Sequence, residues 1–199
     1  METISIELSQ EVYRSDAEKM VNWLSDKEII SNLNEDSNVT RNLINMINRI
    51  DMPILTHLFN NNCSFFTIKN INQTVGFLRL IPKNKGVEIV IAVGEKELWG
   101  RGIGYNAVLE ALKKAFFDLR TDKVVAKVKK ANKRSRNLFK GIGFTEVKEL
   151  EKEVEYHMTK DAFWKIASWE YFDCRLKRRD RSRYRKAFLK IIWQNALKA

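Results

Sequence analysis

The chain has 199 residues, 44% apolar and 31% charged, with 8 Gly and 2 Pro; this suits one buried core and excludes wholesale disorder, collagen-like repeats and Pro-rich linkers. No apolar run approaches the roughly 20 residues of a membrane span, and the start METISIELSQ lacks the basic and apolar blocks of a signal peptide, so a cytoplasmic location is expected. The net charge is +11, and residues 171–199 hold ten Lys/Arg against two Asp, which assigns +8 to the C-terminal end and +3 to the rest and points to an anionic partner.

In chain order, residues 4–8 alternate as a strand. Ala17, Met20, Val21 and Leu24 fall at helical spacing, with Ser15 or Asp16 as the expected N-cap. The polar stretch 25–36 reads as a loop with a helical turn, and 38–50 as a second helix. Two strands are expected at 64–69 and 74–81, then a turn at 82–86 and a β-branched strand at 87–93. A connection at 94–104 ends in a glycine cluster, and an amphipathic helix is expected over 105–119. A strand at 123–128 follows. Asn132 then caps a helix reaching Lys140, with Gly141 or Gly143 ending it. Residues 144–150 and 153–159 read as an antiparallel pair, and Asp161 opens a short helix. Residues 180–197 carry apolar residues at helical spacing opposite a basic face. The order of elements predicts an α/β (α+β) domain with a mixed sheet over 1–167 and an extension over 168–199.

Cys63 and Cys174 have no CxxC spacing, so reduced thiols without disulfide or zinc are expected. His57 and His157 are isolated and expected to be structural, and no metal-ligand spacing appears. The Phe65–Phe66 and Phe116–Phe117 pairs read as core.

Trp99-Gly100-Arg101-Gly102-Ile103-Gly104 places three of the eight glycines within five residues, between an apolar strand and a helix. Glycines let a backbone approach a ligand closely, and a helix N-terminus offers unpaired N–H groups and a positive dipole end. Together these make a phosphate cradle. No Gly-Lys-Ser/Thr follows, which excludes a P-loop, and the spacing is not a dinucleotide fingerprint.

VEIVIAV, then WGRGIG, then Asn132-Lys-Arg-Ser135-Arg-Asn-Leu-Phe139-Lys-Gly-Ile-Gly143-Phe144, resembles the GNAT superfamily of N-acetyltransferases across residues 3–167. The subgroup it resembles most is that of ribosomal-protein-alanine and polyamine acetyltransferases. The resemblance implies a mixed, mostly antiparallel central sheet flanked by helices, with acetyl-CoA as cosubstrate and an amine as acceptor. It implies that Trp99, Gly100, Arg101, Gly102, Ile103, Gly104 and Tyr105 lie at the cofactor, with the backbone of 101–105 on its pyrophosphate. It places the thioester near Ile91, Ala92 and Val93, and Asn132, Ser135 and Phe139 along the cofactor arm. Glu88 matches a carboxylate common in relatives and is the candidate base for an ammonium of pKa near 10. Phe139 stands where many relatives carry a proton-donating Tyr, Trp99 where other branches carry Gln or Arg, and Tyr105 where a small hydroxyl residue is common.

Asp26, Glu28, Glu35 and Asp36 border the implied acceptor side, where carboxylates suit a polyamine, an aminoglycoside-like amine or a basic peptide. The C-terminal helix is expected to pack on its own domain or form a homodimer. The alternative is a non-catalytic module contacting RNA, a partner protein or an anionic surface through RLKRRDRSRYRK.

Overall fold

Alternating apolar residues build an antiparallel meander from Ser64–Asn70 (β2), Gln73–Lys83 (β3) and Gly86–Val93 (β4) in the computed structural model, which describes residues 6–36 and 38–175. Ile71 and Asn72 join β2 to β3, both at positive φ (48° and 65°), the backbone that a two-residue hairpin loop demands. Ile6–Ser9 (β1) extends the sheet beyond β2. Lys123–Lys129 (β5) lies parallel to β4, because helix Ile103–Lys113 (α5) crosses over between them. Glu153–Thr159 (β7) pairs with β5, and Thr145–Glu149 (β6) pairs with β7. The strand order is β1-β2-β3-β4-β5-β7-β6, antiparallel at every junction except β4–β5. This is the mixed, mostly antiparallel sheet that the sequence leads one to expect.

Arg14–Ser25 (α1), Lys27–Asn32 (α2), Val39–Asn48 (α3) and Thr56–Phe59 (α4) precede or interrupt the meander. Tyr13, not Ser15 or Asp16, is the N-cap of α1; Asp16 is its third residue, and its carboxylate accepts from the Tyr13 N–H at 2.9 Å. α2 forms where a loop with a helical turn is expected. Asp26 caps it by accepting from the N–H groups of Glu28 and Ile29 at 2.9 and 3.2 Å. Met20, Trp23 and Leu24 of α1, Ile29 of α2, Leu33 just after it, and Leu43 and Ile47 of α3 are buried in one apolar cluster with Phe65, Phe77 and Ala92. The strand residues in that cluster come from β2, β3 and β4 only.

On the other side of the sheet α5 buries Ile103, Ala107, Val108, Ala111 and Leu112. The helix begins at Ile103, two residues before the expected start, and gives way at Lys114–Asp118 to a π-helical turn. Phe116 is buried, whereas Phe117 is exposed, so only one of that pair is core. Asn132 caps Lys133–Ile142 (α6) by accepting from the Ser135 N–H at 3.0 Å, and Gly143, with φ 104°, ends it. The chain divides into two compact units, Met1–Lys160 and Asp161–Ala199. Lys160–Arg175 (α7) is one continuous helix, longer than expected. The basic segment 180–197, with the homodimer and RNA readings attached to it, lies outside the described residues.

The junction of β4 and β5 shapes everything near it. The strands pair only at Val87↔Val124 and Glu88↔Val125, although β4 runs on to Val93 and β5 to Lys129. Beyond Glu88 they separate into a wedge. Gly94 ends β4 against the Trp23 indole, and a Cβ there would overlap the ring. Gly94→Ala is therefore expected to destabilise the fold by about 1–3 kcal/mol, the usual cost of overpacking, measured as a lowered denaturation midpoint.

Candidate active site

The wedge opens into a cleft with a cavity volume of about 200 Å³. Of the residues singled out in the sequence, Ile91, Ala92, Val93, Trp99, Gly100, Gly102, Ile103, Gly104, Tyr105, Asn132 and Ser135 line it. Arg101, Phe139 and Glu88 do not.

Gly100 and Gly102 take φ values of 76° and 82°, where a side chain is strained. Gly102 is the N-cap of α5, and its carbonyl accepts from the Asn106 N–H at 3.0 Å and the Asn106 amide at 3.2 Å. The first turn of α5 thus begins on the cleft wall at Ile103 and Gly104, where a helix has N–H groups without an intrahelical acceptor. At Gly104 a Cβ would already touch Leu138 at 3.4 Å, so α5 and α6 approach closely there.

The Val93 carbonyl accepts from the Trp99 indole N–H at 2.8 Å. In a strand the N–H and C=O of one residue point to the same side, and alternate residues share it. Val93 and Ile91 therefore turn their backbone groups into the wedge, and Ala92 turns its own toward β3. The Arg134 guanidinium lies 3.5 Å from the Trp99 ring centroid, a stacked cation on an aromatic face.

α2 spans the wedge and supplies Ile29 and Asn32, and the residue after it Leu33, to the cleft lining. On the β4 side Lys96 reaches Asp26 at 2.8 Å and Glu28 at 2.9 Å. On the far side Arg134 lies 3.7 Å from Glu28, Lys129 donates to the Ser31 carbonyl at 2.9 Å, and Asn132 donates to the Asn32 carbonyl at 3.3 Å. Asn34 donates to Glu153 at 2.8 Å. The Asp26 carboxyl is held below the usual range, first by its hydrogen bond from Lys96, and Lys96 is raised by its bonds to Asp26 and Glu28. Three of the four carboxylates assigned to the acceptor side thus have cationic partners in the chain: Asp26 and Glu28 here, and Glu35 with Arg79.

Glu88 lies on the sheet face of Ala92 and Val90. Its side chain is 16% exposed and 3.6 Å from Lys83. Phe139, expected along the cofactor arm, is instead buried against Phe144 and Tyr156, with ring centroids 5.0 and 6.5 Å away. The apolar stripe of α6 faces the core at that position. Burial pushes the Cys63 thiol up, which makes it a poor nucleophile near neutrality. Among the described residues no group of three His, Cys, Asp or Glu is placed to hold a metal, and no helix is long and apolar enough to cross a membrane.

Residues 10–145 match a family model described as an acetyltransferase (GNAT) domain. No curated protein matches the chain. Among solved structures, it is similar to a spermidine N-acetyltransferase from Vibrio cholerae in complex with CoA and spermine, with 19% identity and a TM-score of 0.66 over 80% of this chain and 98% of that one. A domain from Methanocaldococcus jannaschii has 23% identity and a TM-score of 0.62 over 79% and 99%. The Campylobacter jejuni N-acetyltransferase PseH in complex with acetyl coenzyme A has 18% identity and a TM-score of 0.57 over 78% and 99%. These likenesses show a shared fold over about four-fifths of the chain.

The ties of α2 have a pH signature. A lowered Asp26 contributes stability above its ordinary value of 3.8 and loses it as pH falls through the folded value. A raised Lys96 contributes below its ordinary 10.5 and loses that contribution as pH rises through the folded value. The amide protons of Glu28 and Ile29, which bond to the Asp26 carboxylate, are expected to hold constant NMR shifts through neutrality. They should then move together with a midpoint below 3.8.

Proposed function

The chain belongs to the GNAT acetyltransferase family, and from that membership we propose that it moves the acetyl group of acetyl-CoA to a primary amine by direct attack, without a covalent enzyme intermediate. The observation that carries this reading is the wedge: an α-helix N-terminus and a strand edge that no neighbouring strand covers meet in one cleft.

The two features suit the two ends of such a cosubstrate. The N–H groups of the Gly102–Tyr105 turn, with the dipole of α5 behind them, fit a diphosphate. The backbone of Ile91 and Val93 fits an extended amide-bearing arm, in the manner of an added strand. A Val93 or Ile91 N–H aimed at the thioester oxygen would stabilise charge developing there. Acetyl-CoA supplies an activated thioester carbonyl, and the chain supplies geometry. Aligning the two reactants contributes much of the rate.

The ammonium must lose a proton before it attacks. Glu88 faces the α1–α3 side of the sheet and is proposed to receive that proton through water. The leaving thiolate needs no donor from α6, because a thiol pKa of about 8.5 makes it a tolerable leaving group. That is consistent with Phe139 serving the core. The acceptor class spans polyamines, aminoglycoside-like amines and protein N-termini.

Acetyl-CoA at about 100 times its Kd is expected to raise unfolding stability by about 2.7 kcal/mol, measured by denaturation with and without ligand. An absence of stabilisation would remove the cosubstrate and the reading with it. CoA release, followed with a thiol reagent across spermidine, kanamycin and a peptide with a free N-terminus, identifies the acceptor class. With the best of these, Glu88→Gln is expected to lower kcat about 100-fold while the KM for acetyl-CoA stays unchanged.

A further inference from the structure

Strand register assembles a row that the one-dimensional sequence does not show. Glu88 on β4 pairs with Val125 on β5, Val125 with His157 on β7, and His157 with Thr145 on β6. Cross-strand partners point to the same face. The flanking row, Val87, Val124 and Met158, is buried on the α5 side. Glu88, Val125 and His157 therefore share the opposite face, and all three are half-buried. His157 Nε2 sits 2.5 Å from Glu155 Oε1, with side-chain exposures of 17% and 23%. Glu155 pairs with Lys127, two residues past the last position at which β5 contacts β4. The His157–Glu155 pair thus lies on β7, one strand beyond β5, on the sheet face that Glu88 shares.

We propose that His157, oriented by Glu155, is the resting place of the proton that the acceptor ammonium gives up. This rests on the transferase reading above and names a second member of its acid–base machinery. With Nε2–H donating to Glu155, the neutral ring leaves its lone pair on Nδ1. A base fixed by a carboxylate is the arrangement that proton transfer needs. Glu88 alone is a poor match, because a carboxylate is a far weaker base than an amine, whereas an imidazole lies between the two in basicity. Glu88 and His157 are two strands apart, roughly 10 Å between backbones, with Val125 between them, so a water must carry the proton across.

In the proposed sequence R–NH3+ loses H+ by way of Glu88 to His157 Nδ1, and the positive charge moves onto the imidazolium beside Glu155. The neutral amine forms its N–C bond to the thioester carbonyl, the C–S bond breaks, and the second amine proton leaves with the sulfur as CoA thiol. His157 then returns its proton to water. The charged groups on the same face act in both directions. Glu155, bonded to the ring, and Glu88 on β4 favour the imidazolium. Lys123 and Lys127 on β5, on either side of Val125, oppose it, as does Lys148 on β6, paired with Glu155. Lys83 tempers Glu88.

The test uses the full chain, acetyl-CoA and the fastest amine of the panel above. His157→Gln is expected to lower kcat about 100-fold, to abolish the acid limb of the kcat–pH profile, and to leave the KM for acetyl-CoA unchanged. Free imidazole is expected to restore part of the rate of His157→Gly, which a structural role would not allow. Glu155→Gln should shift the acid limb, and Glu88→Gln/His157→Gln should lose little more than the worse single variant. An unchanged pH profile in His157→Gln, or full additivity without imidazole rescue, overturns the assignment while the transferase reading stands. Loss of acetyl-CoA binding by the parent chain overturns that reading instead. Imidazole 15N shifts of His157 in the parent chain decide independently of turnover or of the folding of any variant: the Nε2–H tautomer is expected, and a dominant Nδ1–H tautomer overturns the proposal.

Discussion

Two residue pairs hold β4 to β5, and then the strands part. In most sheets a parallel junction of this length would be sealed along its whole edge, because an unpaired buried backbone group costs about as much as a lost hydrogen bond. Here Ile91 and Val93 present that edge to a cleft instead of a neighbour strand. The surrounding elements take their positions from the gap. α5 crosses over from β4 and delivers its N-terminus to one wall, and α6 leaves β5 to form another. α2 ties across the opening through Lys96, Lys129 and Asn132. A fold that closed this gap would have a more complete sheet and nowhere to place a thioester.

What could be read from the amino acids alone divides along physical lines. The β4 run and the glycine string announce themselves, because VEIVIAV is dense in β-branched residues and only glycine takes φ 76° and 82° without strain. Asn132 and Gly143 mark both ends of α6 for similarly local reasons. α2 does not announce itself. Its six residues are too few to be helical alone, and it persists because Asp26 caps it and Ile29 docks on the apolar cluster. Arg134 was one of eight basic residues between 123 and 140, and nothing local marks it as the one that stacks on Trp99. Motif position likewise does not say which way a helix face turns, and here the Phe139 ring packs with Phe144 and Tyr156.

His157 shows the limit most clearly. In sequence it is a lone histidine with a glutamate two residues earlier, a spacing that means nothing until a strand places both side chains on one face. Only the register of three strands then brings it level with Glu88. The fold was open to inference from spacing and propensity, whereas the lateral neighbours of a strand residue are fixed by pairings distant in the chain.

The salt links on α2 bear on how an anion enters. Lys96 and Arg134, the cations beside Trp99, already face Asp26 and Glu28. On the reading proposed above, a polyphosphate would exchange partners with two internal carboxylates and gain little net Coulomb energy from those cations. Such a mouth would discriminate among anions by shape and by the fixed N–H groups of α5 rather than by charge number. Small mobile anions, which offer charge without reach, would leave the tether of α2 in place.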